Sequence, residues 1–415
     1  MKKSGFWRYE NRLIAILAVN FGFVFIDRNA FGYLWPVGIK HDLNLTDTQV
    51  GMIISALSFT WALSGFLFGG LAEALSKRKS FLIGSVLVFS VCSVLSGIAG
   101  SFLMLMAARL IMGMSEGGIG PISQSLVVLE VSPEKRGASM GIMQNSLSSL
   151  FGSFAAPIVL VAIASWLSWR EAFYLAALPG LIMAFIIWRY VREPTAEEIV
   201  EAHRTSGAPP AEKMSRLEMF KFRNMWLCVM ISSLMVCWMV LGWTFLGGYF
   251  KDQGISDSNM SYLVSVLGLA ASIWCFFVPG LSDKIGRKPV MIIFCALGVI
   301  TPLGALYYHG SLLIIALLLF VGWSASGVFP MFMGTIPSET VPVVYTATAF
   351  GLTQGIGEMI GSVIGATAAG RAADLYGSAA PLWIMVGCTA LAALLSLFLK
   401  ETAPIKIGAI AAKPA

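Results

Sequence analysis

The chain has 415 residues, of which 57% are hydrophobic and only 12% are charged, and its net charge is +6. Soluble domains carry about 25% charged residues, so this composition excludes a water-soluble globular protein and indicates a polytopic membrane protein. The positive charge lies mainly in the loops between apolar segments, which is typical of membrane topology and does not favour a nucleic-acid interface.

Twelve apolar segments are long enough to cross a bilayer as helices, which takes about 20 residues each. They predict an all-α polytopic membrane protein with twelve transmembrane helices in two six-helix bundles. The predicted spans are residues 13–36, 48–75, 80–99, 102–130, 138–165, 170–191, 224–250, 258–281, 288–308, 311–335, 343–370 and 379–399. The predicted domains are an N-terminal bundle (1–191), a cytoplasmic linker (192–222), a C-terminal bundle (223–400) and a cytoplasmic tail (401–415).

The basic residues are unevenly distributed between the two sides of these spans. The tails and the loops on the side of the termini hold 22 of the 28 lysines and arginines, and the opposite loops hold four. The remaining two, Arg28 and Arg109, lie inside spans. Because loops rich in lysine and arginine stay in the cytoplasm, we expect both termini in the cytoplasm and the chain in a bacterial inner membrane.

The first span contains an acid and a base side by side, Asp27 and Arg28. An ionisable residue at membrane depth costs roughly 2.5–3.5 kcal/mol even on the lenient insertion scale, unless it faces a protein interior or a wet cavity. Two adjacent charges therefore indicate a functional site in the first helix.

The fourth span contains Arg109 and Glu116, seven residues apart. Nearly two helical turns separate them, so they share one face at about 10 Å axial distance. Gly113 lies on the same stripe and should let a neighbouring helix, for which helix one is the natural candidate, approach closely. Asp27 and Arg28 would then join Arg109 and Glu116 in one formally neutral cluster.

An internal repeat relates the two halves of the chain. The order Gly-x-x-acid-x-x-x-basic follows the second span at Gly70 and Glu73, and recurs after the eighth span at Gly280 and Asp283, an offset of 210 residues. Two six-helix halves related by an axis along the membrane normal are an architecture of transporters.

Together these residues resemble the Major Facilitator Superfamily, whose signature between helices two and three is G-x-L-A-D-R-x-G-R-R. The second half matches at Asp283, Gly286 and Arg287, whereas the first half has Glu73 for the aspartate and Ser76 for a glycine. The resemblance implies that these loops form a cytoplasmic gate. Its predicted residues are Glu73, Lys77, Arg78, Asp283, Arg287 and Lys288.

A narrower resemblance is to the anion:cation symporter family, which includes sugar-acid permeases and vesicular glutamate-type transporters. That family has Asp-Arg in helix one. In helix four it has R-x-x-x-G-x-x-E followed by proline, and here Arg109, Glu116 and Pro121 match that pattern. Trp61 stands where the family commonly has tyrosine in helix two. The arginine of helix seven that some members carry is absent, which favours a substrate with a single negative charge.

An arginine is the expected carboxylate anchor, because its guanidinium forms bidentate, charge-assisted hydrogen bonds. We predict Arg28 as that anchor, Glu116 and Asp27 as proton sites, and Arg109 as a further substrate-site residue that holds the acids. A proton on either acid would balance the charge of an incoming anion, which is symport. The alternative is that the four residues only form buried salt bridges between helices one and four.

Weaker candidates lie in the fifth and eleventh spans. Asn145, Ser149 and Gln354 are polar residues that could contact substrate or bond neighbouring helices. Glu358 is a third buried acid, either a second coupling site or a residue at a wet rim.

Other functions are disfavoured by missing motifs. The chain has no HExxH, GxSxG or GxxxxGK[ST] sequence, so we expect no catalytic residues and no ATP drive. Its six cysteines lie in apolar segments without metal-ligand spacing, and we expect no metal and no cofactor. The predicted protein is a monomeric symporter in the lipid bilayer, with a small organic anion and a proton or sodium ion as partners. A facilitator, an antiporter and a transporter-like sensor remain alternatives.

Overall fold

The computed structural model describes residues 9–74, 77–131, 147–195, 216–341 and 346–403. Throughout these ranges the regular structure is helical, and helices occupy all twelve predicted positions. The chain divides into two compact units, Met1–Gly207 and Ala208–Ala415. The all-α fold expected from the sequence is therefore confirmed.

The first unit contains six helical segments, each of which corresponds to a predicted span. They are α1 (Tyr9–Leu34, extended by a π-helical turn at Trp35–Ile39 and by Lys40–Asp42), α2 (Asp47–Ala74), α3 (Arg78–Gly97), α4 (Phe102–Glu116 and Ile119–Glu130), α5 (in its described part Leu147–Ser149, a π-helical turn at Leu150–Ala155, and Ala156–Trp166) and α6 (Trp169–Tyr190). Ser101 and Ser168 begin α4 and α6, because each hydroxyl accepts a hydrogen bond from a first-turn N–H group.

The second unit repeats this arrangement after a short 3₁₀ helix at Arg216–Lys221. Its helices are α7 (Arg223–Asp252), α8 (Asp257–Ile285), α9 (Arg287–Leu297 and Ile300–Tyr307), α10 (Leu312–Gly322, a 3₁₀ turn at Trp323–Val328, a π-helical turn at Met331–Thr335, and Ile336–Thr340), α11 (Thr346–Gly357, a π-helical turn at Glu358–Ile364, and Gly365–Tyr376) and α12 (Ala380–Ser396).

Many of these helices have the length and the apolar surface of membrane spans. Within the described ranges, eight of them are long and apolar enough to cross a bilayer: α1, α3, α4, α6, α7, α8, α9 and α10. Large apolar side chains lie on the outside of the protein, such as Leu103 (71% exposed) and Phe185 (61% exposed). Large exposed apolar side chains of this kind are suited to contact with lipid.

In each unit, a glutamate that follows the last helix caps the start of the third helix. Glu193, just after α6, accepts hydrogen bonds from the backbone N–H of Lys79 at 3.0 and 3.2 Å. Glu401, after α12, accepts from the backbone N–H of Arg287 at 2.7 Å. Both the glutamates and the capped residues are 208 residues apart, so the structure repeats at nearly the spacing found in the signature loops. A carboxylate at a helix N-terminus is favoured by the free N–H groups and the helix dipole.

The glutamate cap also explains a glycine of the signature sequence. Gly286 ends α8 with a φ of +110°, a conformation that side chains other than glycine rarely adopt. A β-carbon at this position would lie 2.6 Å from Oε2 of Glu401. Gly286 therefore allows both the sharp turn and the close approach of the capping carboxylate.

Two π-helical turns also repeat between the units. The turn in α5 begins at Leu150 and the turn in α11 begins at Glu358, again 208 residues later. Each turn packs through a glycine on the first helix of its own unit. A β-carbon on Gly152 would lie 2.4 Å from Phe25 of α1, and one on Gly361 would lie 2.5 Å from the Ser233 carbonyl of α7.

Gly113 makes the closest helix approach near the charged residues, but to a different neighbour than expected. The three nearest atoms to a β-carbon on Gly113 belong to α2, at 2.2 Å for the Leu57 carbonyl oxygen and 2.3 Å for the Thr60 hydroxyl. The prediction that Gly113 serves the contact with helix one is therefore wrong. Four residues turn a helix by about 40° beyond a full turn, which rotates Gly113 away from the face of Arg109 and Glu116.

Replacing Gly113 with alanine is expected to destabilise the protein by about 1–3 kcal/mol, because α2 and α4 must separate to accommodate the methyl group. The melting temperature of the purified protein in detergent measures this effect. Gly84→Ala in α3 is the matched control, since no atom lies within 4 Å of its added β-carbon. An unchanged melting temperature for Gly113→Ala would contradict the close packing of α2 on α4.

Candidate functional site

Helices α1 and α4 bring together the four charged residues singled out from the sequence. Asp27 is fully buried, Arg109 and Glu116 are 1% and 2% exposed, and Arg28 is half-buried. Glu116 interacts electrostatically with Arg28, Asp27 and Arg109. The four residues therefore form one cluster within the first unit, with no net formal charge.

The Arg109 side chain of α4 donates hydrogen bonds to the backbone of α1. Its Nη1 donates to the carbonyl oxygens of Asp27 at 3.3 Å and of Arg28 at 3.5 Å. The guanidinium lies between two aromatic rings, 5.6 Å from the Phe31 centroid and 5.2 Å from the Phe173 centroid. Neither Asp27 nor Glu116 lies within ion-pair distance of a basic group in the described part of the chain, so Arg109 acts on the acids at longer range.

Asp27 is held by a serine of α3. The Ser93 hydroxyl donates to Oδ1 of Asp27 at 2.6 Å, which ties α1 to α3. Oδ2 is buried and has no hydrogen-bond partner among the described residues. The aspartate is thus half satisfied, and one oxygen can still bind a proton.

Glu116 is the least satisfied group of the cluster. Both carboxyl oxygens are buried, and neither has a hydrogen-bond partner in the described ranges. Burying a carboxylate without hydrogen bonds costs several kcal/mol, and binding a proton removes the charge that causes this cost. The position of Glu116 is therefore suited to a residue that alternates between a protonated and a charged form.

Arg28 presents a guanidinium with its donors unused. Its Cζ lies 4.5 Å from the centroid of the Trp61 ring in α2 and 5.9 Å from that of Phe25. The side chain makes no hydrogen bond or ion pair with a described residue. Contact with an aromatic ring uses none of the N–H donors of a guanidinium as hydrogen bonds, so they can still bind a planar carboxylate. Trp61, which stands where the anion:cation symporter family commonly has tyrosine, is the nearer of these two rings.

Two residues that were not predicted position this part of α1. Asn29 Nδ2 and the Tyr33 hydroxyl both donate to the carbonyl oxygen of Gly152, at 3.2 and 3.0 Å. Gly152 lies in the π-helical turn of α5, so these bonds fix the rotation of α1 that presents Asp27 and Arg28. The four-residue spacing of two polar side chains in an apolar span is the sequence signal that could have indicated them.

The weaker candidates of α5 and α11 remain predictions. Ser149 is half-buried one turn before Gly152, and Asn145 lies outside the described residues. In the second unit Gln354 is half-buried and Glu358 is 9% exposed at the start of the π-helical turn.

The predicted gate residues differ between the two units. Arg287 is buried and forms ion pairs with Asp283 at 2.6 Å and Glu339 at 2.9 Å. In the first unit Arg78 is buried as well, but its Nε donates to the Ser125 hydroxyl at 2.7 Å. Lys77 is exposed, Lys288 is half-buried, and the side chain of Glu73 lies outside the described residues. The gating role itself remains a prediction.

Comparison with known proteins agrees with this fold and adds named relatives. The sequence profile of the Major Facilitator Superfamily matches residues 17–366. A probable 4-methylmuconolactone transporter of Cupriavidus pinatubonensis is 28% identical, over 82% of this chain and 79% of that protein. The 3-(3-hydroxy-phenyl)propionate transporter of Escherichia coli is 27% identical, over 80% of each chain. A crystal structure of a D-xylose–proton symporter shares the fold, with a TM-score of 0.72, 19% identity and coverage of 95% and 98%.

Proposed function

Because the chain belongs to the Major Facilitator Superfamily, we propose that it is a secondary active transporter that moves a small organic anion together with a proton by alternating access. The substrate is a carboxylate with one negative charge. The protein works as a monomer in a bacterial inner membrane, with both termini in the cytoplasm.

One observation carries this proposal: within the described residues, a half-buried guanidinium without a hydrogen bond or ion pair lies in the same cluster as a buried carboxyl without a hydrogen bond. Arg28 supplies the donors for the substrate carboxylate, and Glu116 supplies the site for the proton. The named substrate of the Escherichia coli relative, 3-(3-hydroxy-phenyl)propionate, carries one carboxylate. Its chemistry supports a monoanion as the substrate class.

Charge balance links the two binding events. The cluster of two acids and two bases is formally neutral, and a bound monoanion adds one negative charge in a low-dielectric site. Protonation of Glu116 restores neutrality, so the anion and the proton favour each other's binding. One proton for each monoanion is the expected stoichiometry.

A melting screen of the purified protein tests the substrate class. Benzoate, 3-(3-hydroxyphenyl)propionate and glucuronate are compared with the uncharged benzamide at an acidic and a neutral pH. We expect at least one carboxylate to raise the melting temperature, and to do so more strongly at acidic pH because Glu116 must be protonated. A ligand at 100 times its Kd stabilises by about 2.7 kcal/mol. Stabilisation by benzamide alone, or by none of the carboxylates at either pH, would contradict the anion assignment.

A further inference from the structure

Buried polar residues continue from Glu116 towards the end of the first unit that contains Tyr9 and Arg192. Ser123 and Glu130 follow Glu116 in α4 at intervals of seven residues, and Asn20 precedes Asp27 in α1 by seven. Seven residues fall only about 20° short of two full turns, so each series keeps to one face of its helix. The helical backbone continues through Gly117 and Gly118, which joins the two parts of α4.

Two contacts between α1 and α4 show how the two series are aligned. Arg109 of α4 contacts the carbonyl of Asp27, and a β-carbon on Gly120 would lie 3.8 Å from the Phe21 ring. The helices therefore run antiparallel, and Asn20 lies between the levels of Glu116 and Ser123. A rise of 1.5 Å per residue places Asn20 roughly 5 Å along the axis from each of them.

Two buried side chains in this region, Asn20 and Ser123, lack hydrogen-bond partners within the described ranges. Asn20 and Ser123 are fully buried, and neither the Asn20 amide nor the Ser123 hydroxyl has a hydrogen-bond partner among the described residues. Buried amides and hydroxyls are nearly always satisfied by protein or ordered water, and a water molecule needs two to four such polar neighbours. Two hydrogen bonds of about 2.8 Å span a gap of roughly 5 Å, which is the length of one water bridge from Asn20 to Glu116 or to Ser123. Ser123 and Glu130 are seven residues apart, roughly 10 Å along α4, and a chain of about three waters spans that distance.

The series ends at Glu130, which is bonded to a solvent-exposed residue. The Glu130 side chain is 3% exposed, and one of its oxygens accepts a hydrogen bond from Arg192, whose side chain is 53% exposed. The second oxygen, Oε1, is buried and has no partner in the described part of the chain. The charge bias of the loops assigns this end of the unit to the cytoplasm.

We propose that Asn20 and Ser123 hold ordered water between α1 and α4, and so form the path by which the proton on Glu116 reaches Glu130 and the cytoplasm. This path rests on the proposed function, in which Glu116 carries the coupling proton. Glu116 gives up one proton and becomes a carboxylate, and the proton passes along the waters to the Glu130 carboxylate and then to bulk water. Asn20 and Ser123 orient the waters and exchange no net proton, which makes them positioning residues.

Hydrogen–deuterium exchange of the Glu116 carboxyl tests the path without a known substrate. The purified full chain is held at acidic pH, and the infrared band of the protonated carboxyl is identified by its loss in Glu116→Gln. After transfer to heavy water the band shifts at the rate at which deuterons reach Glu116. We expect Asn20→Leu and Ser123→Ala to slow this exchange by about tenfold or more, the effect of losing one bridging hydrogen bond.

Ser96→Ala is the matched control, because Ser96 is also fully buried in the first unit but its hydroxyl already donates to the Cys92 carbonyl at 2.8 Å. Its exchange should equal that of the wild type. Ser123→Ala removes a single oxygen atom and keeps the test decisive if Asn20→Leu does not fold. Wild-type exchange rates in both variants would overturn the path and leave proton coupling intact. The absence of a Glu116 band at every pH would instead overturn the proposed function, and the path with it.

Discussion

Replacing Glu116 with glutamine is expected to abolish proton-driven accumulation of the substrate in proteoliposomes while preserving counterflow. The amide has nearly the shape of the carboxyl group but cannot exchange the coupling proton. A symporter with one proton for each anion accumulates its substrate about tenfold for every pH unit across the membrane. The accumulation ratio should therefore fall to about one, while exchange of labelled for unlabelled substrate continues because it needs no net proton movement.

Charge balance adds a second expectation to the same assay. A monoanion and a proton together carry no net charge, so accumulation by the wild type should not respond to an imposed membrane potential. Glu171→Gln in the same unit is the control and should leave accumulation unchanged, because Glu171 lies at the start of α6 and outside the cluster. Normal accumulation in Glu116→Gln together with its loss in Asp27→Asn would assign the coupling proton to Asp27.

Replacing Arg28 with alanine is expected to weaken carboxylate binding by about 30-fold or more, because removing one partner of a buried, hydrogen-bonded charge pair costs 2–5 kcal/mol or more. Arg28→Lys should fall between alanine and the wild type, since lysine keeps the charge but lacks the bidentate fork. The carboxylate concentration that half-saturates the shift in melting temperature measures both effects.

Arg189→Ala is the matched control for Arg28. Arg189 is an exposed arginine of the first unit whose guanidinium also lies over an aromatic ring, 5.4 Å from the centroid of Tyr190. Its loss should not change carboxylate binding. If Arg28→Ala binds carboxylates as tightly as the wild type, the anion is held elsewhere, and the remaining guanidinium of the cluster, Arg109, becomes the candidate anchor.

The fold was predictable because each helix is specified locally. Apolar length identifies a span, and lysine and arginine in the loops separate the two sides, so neither inference needs tertiary information. The repeat was visible at Glu73 and Asp283 but was missed at Glu193 and Glu401. A basic residue followed by glutamate occurs in both places, in Arg-Glu-Pro-Thr at 192–195 and in Lys-Glu-Thr-Ala at 400–403. Only the structure shows that the two carboxylates cap α3 and α9.

The sequence predicts which charged residues form the site, but it does not predict their hydrogen bonds. Charged residues in an apolar span are conspicuous, which is why Asp27, Arg28, Arg109 and Glu116 could be found. Helical periodicity gives the face of a residue but not the partner of each atom, so it did not show that Arg109 binds backbone carbonyls. Uncharged polar residues such as Asn20 and Ser123 are common in spans, and only their unpartnered burial distinguishes them. The roles of the site residues remain predictions until the variants are measured.

The paired π-helical turns of α5 and α11 set how these helices meet the first helix of their units. A π-helical turn holds more residues than the same length of α-helix. The two turns begin 208 residues apart, and each packs through a glycine on the first helix of its unit. Each residue turns an α-helix by about 100°, so deleting one residue from either turn would rotate the rest of that helix away from this contact.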